Sequence, residues 1–132
     1  MAGTKGSKYF NVFLDYQVWL KSKEQEGRVD DQLIELLRGV DKYGSLKKAA
    51  QEKRLSYRKA WGDIRIAEEF LGFDLIESTR GGKNGGLSRL SENGTELLAA
   101  FDELHNQFDQ AIYRITRQFF NKLNKKDTEE TE

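Results

Sequence analysis

The stretch from Gly44 to Gly62, GSLKKAAQEKRLSYRKAWG, decides how this chain of 132 residues is read. It reads as two short helices around a tight turn, with the second helix offered to a partner. Ser45 is an N-cap, since its hydroxyl can accept from an orphan amide of the first turn, and Ala49 and Ala50 are small enough for two helices to cross closely. The segment from Lys53 to Ser56 interrupts the apolar periodicity, and Ser56 caps the second helix.

On the N-terminal side, Asp30 is a further N-cap, flanked by Val29 and Ile34 as a hydrophobic staple. The helix it opens runs through Leu33, Ile34, Leu37 and Val40 to about Tyr43, where Gly44 ends it. On the C-terminal side, a helix from about Tyr57 to Leu71 turns Ala60, Trp61, Ile64, Ala67, Phe70 and Leu71 inward, with Trp61 assigned to the core. Tyr57, Arg58, Gly62 and Arg65 are left on another side. Phe73 to Glu77 and Leu87 to Leu90 are strand-like and are joined by the glycine-rich basic loop from Ser78 to Gly86, which makes a β-hairpin.

Further out, Phe10, Val12, Leu14, Tyr16, Val18 and Leu20 fall on alternate positions, so the spacing predicts a strand over Tyr9 to Leu20. Ser91 opens a long helix in which Gly94 lies early enough to be tolerated. Along it Leu97, Phe101, Leu104, Phe108, Ile112, Ile115 and Phe119 recur at steps close to a heptad. Such a helix of about 33 residues would be roughly 50 Å long, more than one small domain can cover. Those seven residues are therefore expected to form a homodimer seam. The expected organisation is a flexible tail over 1–8, a compact domain over 9–90, the long dimerisation helix over 91–126 and an acidic disordered tail over 127–132.

One third of the residues are charged and 37% are hydrophobic, with no apolar run near the roughly 20 residues a membrane span needs. No secretory signal is read in the polar start, and the absence of cysteine excludes disulfides and thiolate metal sites; the expectation is a cytoplasmic protein without a membrane partner. The net charge is zero but unevenly spread. Between Ser45 and Arg65, Lys47, Lys48, Lys53, Arg54, Arg58, Lys59 and Arg65 stand against Glu52 and Asp63, a net of +5, whereas Asp127, Glu129, Glu130 and Glu132 close the chain.

Catalysis finds no footing. His105 is the only histidine and no ligand-spaced cluster accompanies it, while Asp30-Asp31 and Glu68-Glu69 point to different sides of their helices. No catalytic residue, metal or cofactor is expected, and the chain is read as no enzyme.

Three helices followed by a basic hairpin is the order of a winged helix-turn-helix, so the fold class is α+β, mainly helical. Gly44-Ser45, Ala49-Ala50, Ser56-Tyr57, Ala60-Trp61, Gly81-Gly82-Lys83 with Gly85-Gly86, Leu90-Ser91 and Gly94 together resemble the N-terminal DNA-binding domain of the molybdate-responsive regulator family (ModE), itself similar to the LysR-type domain. The likeness is close over about residues 30 to 101. It implies a sequence-specific transcriptional regulator that binds an inverted-repeat duplex as a homodimer. The N-terminus of the second helix then enters the major groove, with Tyr57 and Arg58 at base-reading positions and Arg58 able to contact guanine bidentately. Lys59 suits a phosphate, Arg65 reaches backbone or base edges, and Ser45, Lys47 and Ser56 complete the helical contacts.

The glycine loop has three readings. As a wing, its Arg80, Lys83 and Asn84 lie along a phosphate strand or dip into the minor groove. As a nucleotide-binding loop it fails, because no Ser or Thr follows a Gly-Lys pair and no helix follows the loop. As a plain hairpin turn, Asn84-Gly85 would suffice. The alternative function is a winged-helix module for protein–protein interaction. Regulators of the compared family sense molybdate through C-terminal β-rich domains; the sequence shown ends about 40 residues after the wing, so the sensor is expected to be missing and molybdate to have no effect.

Overall fold

A computed structural model describes residues 8–79 and 87–131. It divides into two compact units, Val18–Phe101 and a second made of Met1–Gln17 with Asp102–Glu132.

The first unit is built on three helices whose ends are those the sequence marks. α1 (Asp31–Tyr43) is capped by Asp30, whose carboxylate accepts from the Leu33 amide at 3.0 Å, and it stops at Gly44, which takes the left-handed conformation (φ 69°) that costs a glycine nothing. α2 (Leu46–Glu52) starts on Ser45, whose hydroxyl accepts from the Lys48 amide. Gly39 of α1 faces Ala49 of α2 so closely that a Cβ on Gly39 would lie 2.6 Å from the Ala49 Cβ. The small residues expected at a helix crossing therefore sit at one, with a glycine as the partner. α3 (Tyr57–Leu71) is capped by Ser56 and ends on Gly72 at φ 84°.

Around them are two antiparallel pairs. β1 (Leu20–Lys21) pairs with β2 (Arg28–Val29), and β3 (Ile76–Thr79) pairs with β4 (Leu87–Leu90) in the register Ile76 to Leu90. The hairpin is the one expected, but its first strand begins at Ile76 rather than Phe73. The Glu68 carboxylate of α3 accepts from the Leu75 and Ile76 amides at 2.7 and 3.3 Å, holding that chain end on the helix before pairing starts. α4 (Glu92–Thr131) follows β4 directly.

The core gathers Leu33, Ile34, Leu36, Leu37 and Val40 of α1, Leu46, Ala49 and Ala50 of α2, Ala60, Ile64 and Ala67 of α3, Leu75 and Ile76, and Leu98 and Phe101 of α4. Full burial of each large aliphatic side chain contributes about 1.5–3 kcal/mol, so this cluster is the main source of stability. Two expectations change here. Gly94 is not merely tolerated: a Cβ would collide with the Leu75 carbonyl oxygen, so the close approach of α4 to the residue just before β3 requires glycine. Phe101, 2% exposed, and Leu97, packed against the core, belong to this unit's interior and not to an intermolecular seam.

In the second unit the expected continuous strand over Tyr9 to Leu20 is not formed: Phe10 and Phe13 make only isolated bridges, and Leu20–Lys21, in the first unit, pair as a two-residue strand. The cause is local. The Val12 amide donates to the Tyr9 carbonyl at 3.0 Å and Asn11 adopts φ 66°, a tight turn that breaks extension. The remainder packs on α4. Tyr9 meets Phe120 with ring centroids 6.1 Å apart, Tyr16 stacks on Phe108 at 5.7 Å, and its hydroxyl donates to Asp109 at 2.5 Å. Alternation there reflects an extended segment lying on a helix, with Leu14 and Tyr16 half-buried. The backbone of α4 continues past residue 126 to Thr131, through the acidic run expected as a tail. No described helix is long and apolar enough to cross a membrane.

Candidate nucleic-acid interface

The outer face of α3 is built in two columns. Tyr57, Trp61 and Arg65 lie four residues apart and therefore above one another. The Tyr57 and Trp61 rings meet edge to face at 6.5 Å, and the Arg65 guanidinium lies 5.8 Å over the Trp61 ring. Trp61 packs against the core with one side, as the sequence implies, but its other side is the bed on which Arg65 is aimed. Beside this column Arg58 is exposed, and four residues on stands Gly62, where an added Cβ would meet nothing within 4 Å. The result is a smooth, open helix face carrying an aromatic ring (Tyr57, 44% exposed) and two guanidinium groups.

The other expected contacts are placed unevenly. Lys59 donates to Asp63 at 2.9 Å, and both line a cleft of about 230 Å³ with Arg28, Asp30, Gln32, Leu33 and Ile66, so its charge is largely answered within the chain. The Ser56 and Ser45 hydroxyls are engaged as caps, which leaves each able to donate outward while it accepts from the helix. Lys47 is exposed in the first turn of α2. Arg80, Lys83 and Asn84 lie outside the described residues. The base of their hairpin is described: the Ser88 amide donates to the Gly44 carbonyl at 2.9 Å, which seats β4 against the α1–α2 turn, and Arg89 pairs with Glu77 across the strands at 3.0 Å.

Sequence reading missed a further basic group at that turn. The Lys42 and Lys48 ammonium groups lie 5.3 and 5.2 Å from the Tyr43 ring centroid, one from each helix, beside Ser45. The signal was present, since Lys42 and Lys48 each fall three positions from Ser45, but the joint placement needs the α1–α2 angle. Lys53, by contrast, pairs within the chain, 3.2 Å from the Glu35 carboxylate. Burial raises the Glu35 carboxyl, yet hydrogen bonds and charge from Arg38 and Lys53 outweigh it and hold its pKa below the ordinary 4.5. Among the described residues no group of His, Asp or Glu could hold a metal ion.

No protein-family model matches the chain. It is 34% identical over 87 residues to the molybdenum transport protein ModE of Herbaspirillum seropedicae (66% of this chain, 32% of the relative), and 33% identical over 85 residues to the molybdenum-pterin-binding protein MopA of Rhodobacter capsulatus (64% and 32%). It is 31% identical over 81 residues to the DNA-binding transcriptional dual regulator ModE of Escherichia coli K12 (61% and 31%). The matched stretch spans about a third of the length of these relatives. In structure it resembles the BenM DNA-binding domain in a crystal complex with benA site 1 DNA, at a TM-score of 0.50 and 22% identity over 65% of this chain and 91% of that one. These are regulators, carriers of molybdenum names and DNA-binding domains, and none is an enzyme. The chain thus carries a winged helix-turn-helix with a long C-terminal helix, related in sequence to the ModE regulators.

Proposed function

We propose that this chain is a DNA-binding transcription regulator acting as a homodimer on an inverted-repeat duplex. The observation that carries the reading is the open face of α3. Tyr57 and Arg58 stand at its capped N-terminus, Arg65 is held on Trp61, and Gly62 leaves room between them for a base-pair edge. A helix N-terminus presents orphan amides and a partial positive charge, and a duplex supplies phosphates for it. Arg58 reads guanine and Tyr57 contacts a base or sugar; Lys47, Ser45 and the Lys42–Tyr43–Lys48 group take the flanking phosphates. Arg80, Lys83 and Asn84 act as the wing. Lys59 serves mainly to hold Asp63, a smaller part than the sequence gives it.

Selection of bound duplexes from a random library, followed by titration of variants on the selected site, tests this. Arg58→Ala should cost about 1–3 kcal/mol on the selected duplex and relax base preference, whereas Lys83→Ala should weaken all duplexes alike. Equal losses on selected and random DNA for both variants would remove Arg58 as a reader. A chain with no duplex preference at all would favour the protein–protein module.

A further inference from the structure

Two acids, Glu68 and Glu69, stand in the last turns of α3, the helix proposed to meet DNA. A carboxylate near phosphates opposes binding, and Glu69 is exposed in that position. Glu68 is differently placed. It is half-buried, and one oxygen of its carboxylate accepts from both the Leu75 amide, at 2.7 Å, and the Ile76 amide, at 3.3 Å. Its backbone carbonyl accepts from the Gly72 amide at 2.8 Å, where the left-handed glycine ends α3 and turns the chain back. One residue therefore both closes the helix and catches the chain that returns from it. What it catches is the root of the hairpin. Leu75 is fully buried, and Ile76 opens β3 opposite Leu90. From Ile76 to Thr79 the strand advances about 10 Å, at 3.3 Å per residue, so a tilt at the root displaces the far end most. On the other strand, the Ser88 amide is fixed to the Gly44 carbonyl of the α1–α2 turn. Of these two attachments, the one made by Glu68 ties the hairpin to α3.

We propose that Glu68 is a positioning residue for DNA binding: it holds the hairpin at the angle to α3 at which both meet one duplex. The proposal rests on the reading of α3 and the hairpin as the surfaces that contact DNA. The chemistry of the junction calls for a carboxylate. An ionised oxygen takes both amides, with bonds shorter and stronger than a neutral carbonyl makes, whereas an amide of the same shape brings two N–H donors to a place where backbone donors already converge. The two acids thus act in opposite senses. Electrostatics alone predicts that neutralising either one tightens the grip on a duplex. Positioning predicts that neutralising Glu68 loosens it, because the hairpin is then no longer set against the reading helix.

Affinity of the full chain for its selected duplex, read by fluorescence anisotropy, separates the two. Glu69→Gln should bind as well as the parent or better, and Glu68→Gln, equally neutral, should bind several-fold more weakly while keeping its helical circular dichroism. The loss should run through the hairpin. Lys83→Ala should therefore cost less in the Glu68→Gln background than in the parent, whereas Arg58→Ala should cost the same in both. Amide hydrogen exchange should quicken over β3 and β4 in Glu68→Gln and stay unchanged over α1 and α2. A residue that only stabilises the fold would lower the melting temperature and leave both costs additive. Tighter binding by Glu68→Gln, equal costs of Lys83→Ala in the two backgrounds, or unchanged exchange over β3 overturns the proposal; with a parent that still prefers its duplex, the regulator stands. A parent without duplex preference removes the regulator reading and this proposal with it. Should Glu68→Gln fail to fold, Glu68→Asp, a methylene too short to reach both amides, is measured in its place with the same expectations.

Discussion

Gly62 is the residue at which fold and function make opposite demands. Nothing packs against it, so Gly62→Ala should stabilise the domain by about 0.5–1 kcal/mol through helix propensity and raise its melting temperature. If the α3 face meets DNA as proposed, Gly62→Leu should keep that folded stability and still lose duplex affinity by tenfold or more, measured by fluorescence anisotropy. Unchanged affinity would move the interface off this face. Glu35 makes a second residue-scale prediction. Its folded pKa lies below the ordinary 4.5, so its contribution is complete above about that pH and is lost as pH falls through the lowered folded value. Glu35→Gln should therefore lower stability at neutral pH and flatten the acid limb of the unfolding curve, while Lys53→Met should shift that limb in the same sense. Acid limbs that superimpose would show that the Arg38–Glu35–Lys53 group does not couple to folding.

At the scale of elements, helix ends were legible because they are local chemistry. Asp30, Ser45 and Ser56 each supply an oxygen to an amide three residues on, and Gly44 supplies a left-handed turn. What the sequence could not show is what comes close from elsewhere in the chain. Gly39 and Gly94 look alike as helical glycines beside other unremarkable residues, yet one meets Ala49 and the other the Leu75 carbonyl. The period-two pattern of Tyr9 to Leu20 suggested a strand because an extended segment on a helix and a strand in a sheet both bury alternate side chains. The even heptad of α4 hid a change of role, since Leu97 and Phe101 complete a core whereas Phe108 onward does not. A direct check is Gly39→Val, which should push α1 from α2 and cost about 2–4 kcal/mol by strain and overpacking, read by chemical denaturation. A cost below about 0.5 kcal/mol would mean that the crossing is looser than described.

For the whole molecule, the zero net charge conceals a basic region on the helical domain and acid elsewhere, and that has a measurable sign. Affinity for duplex should fall steeply with salt, with a logarithmic slope set by the phosphates neutralised, and the slope should drop by about one for each of Lys42 and Lys48 replaced by Ala. A dimer should prefer an inverted repeat over a single half-site, and the preference should vanish with dimer-breaking substitutions in α4. A flat salt dependence would argue against the Tyr43 group as a phosphate contact. The candidate site was partly legible at this scale: the +5 segment covers α2 and α3, which carry the candidate face, but two of its cations, Lys53 and Lys59, pair with Glu35 and Asp63 within the chain.

Ser91 lies where β4 gives way to α4, and its hydroxyl has two obligations: it donates to the Asp74 carbonyl at 2.6 Å and accepts from the Gly94 amide at 2.9 Å. Its own amide donates to the Leu75 carbonyl, the same carbonyl that leaves no room for a side chain at position 94. Mechanically this is a clamp without play. The start of α4 can neither slide by a residue nor roll about its axis without breaking these three hydrogen bonds or driving the position-94 backbone into the Leu75 carbonyl, so the helix leaves the hairpin in one fixed rotational setting.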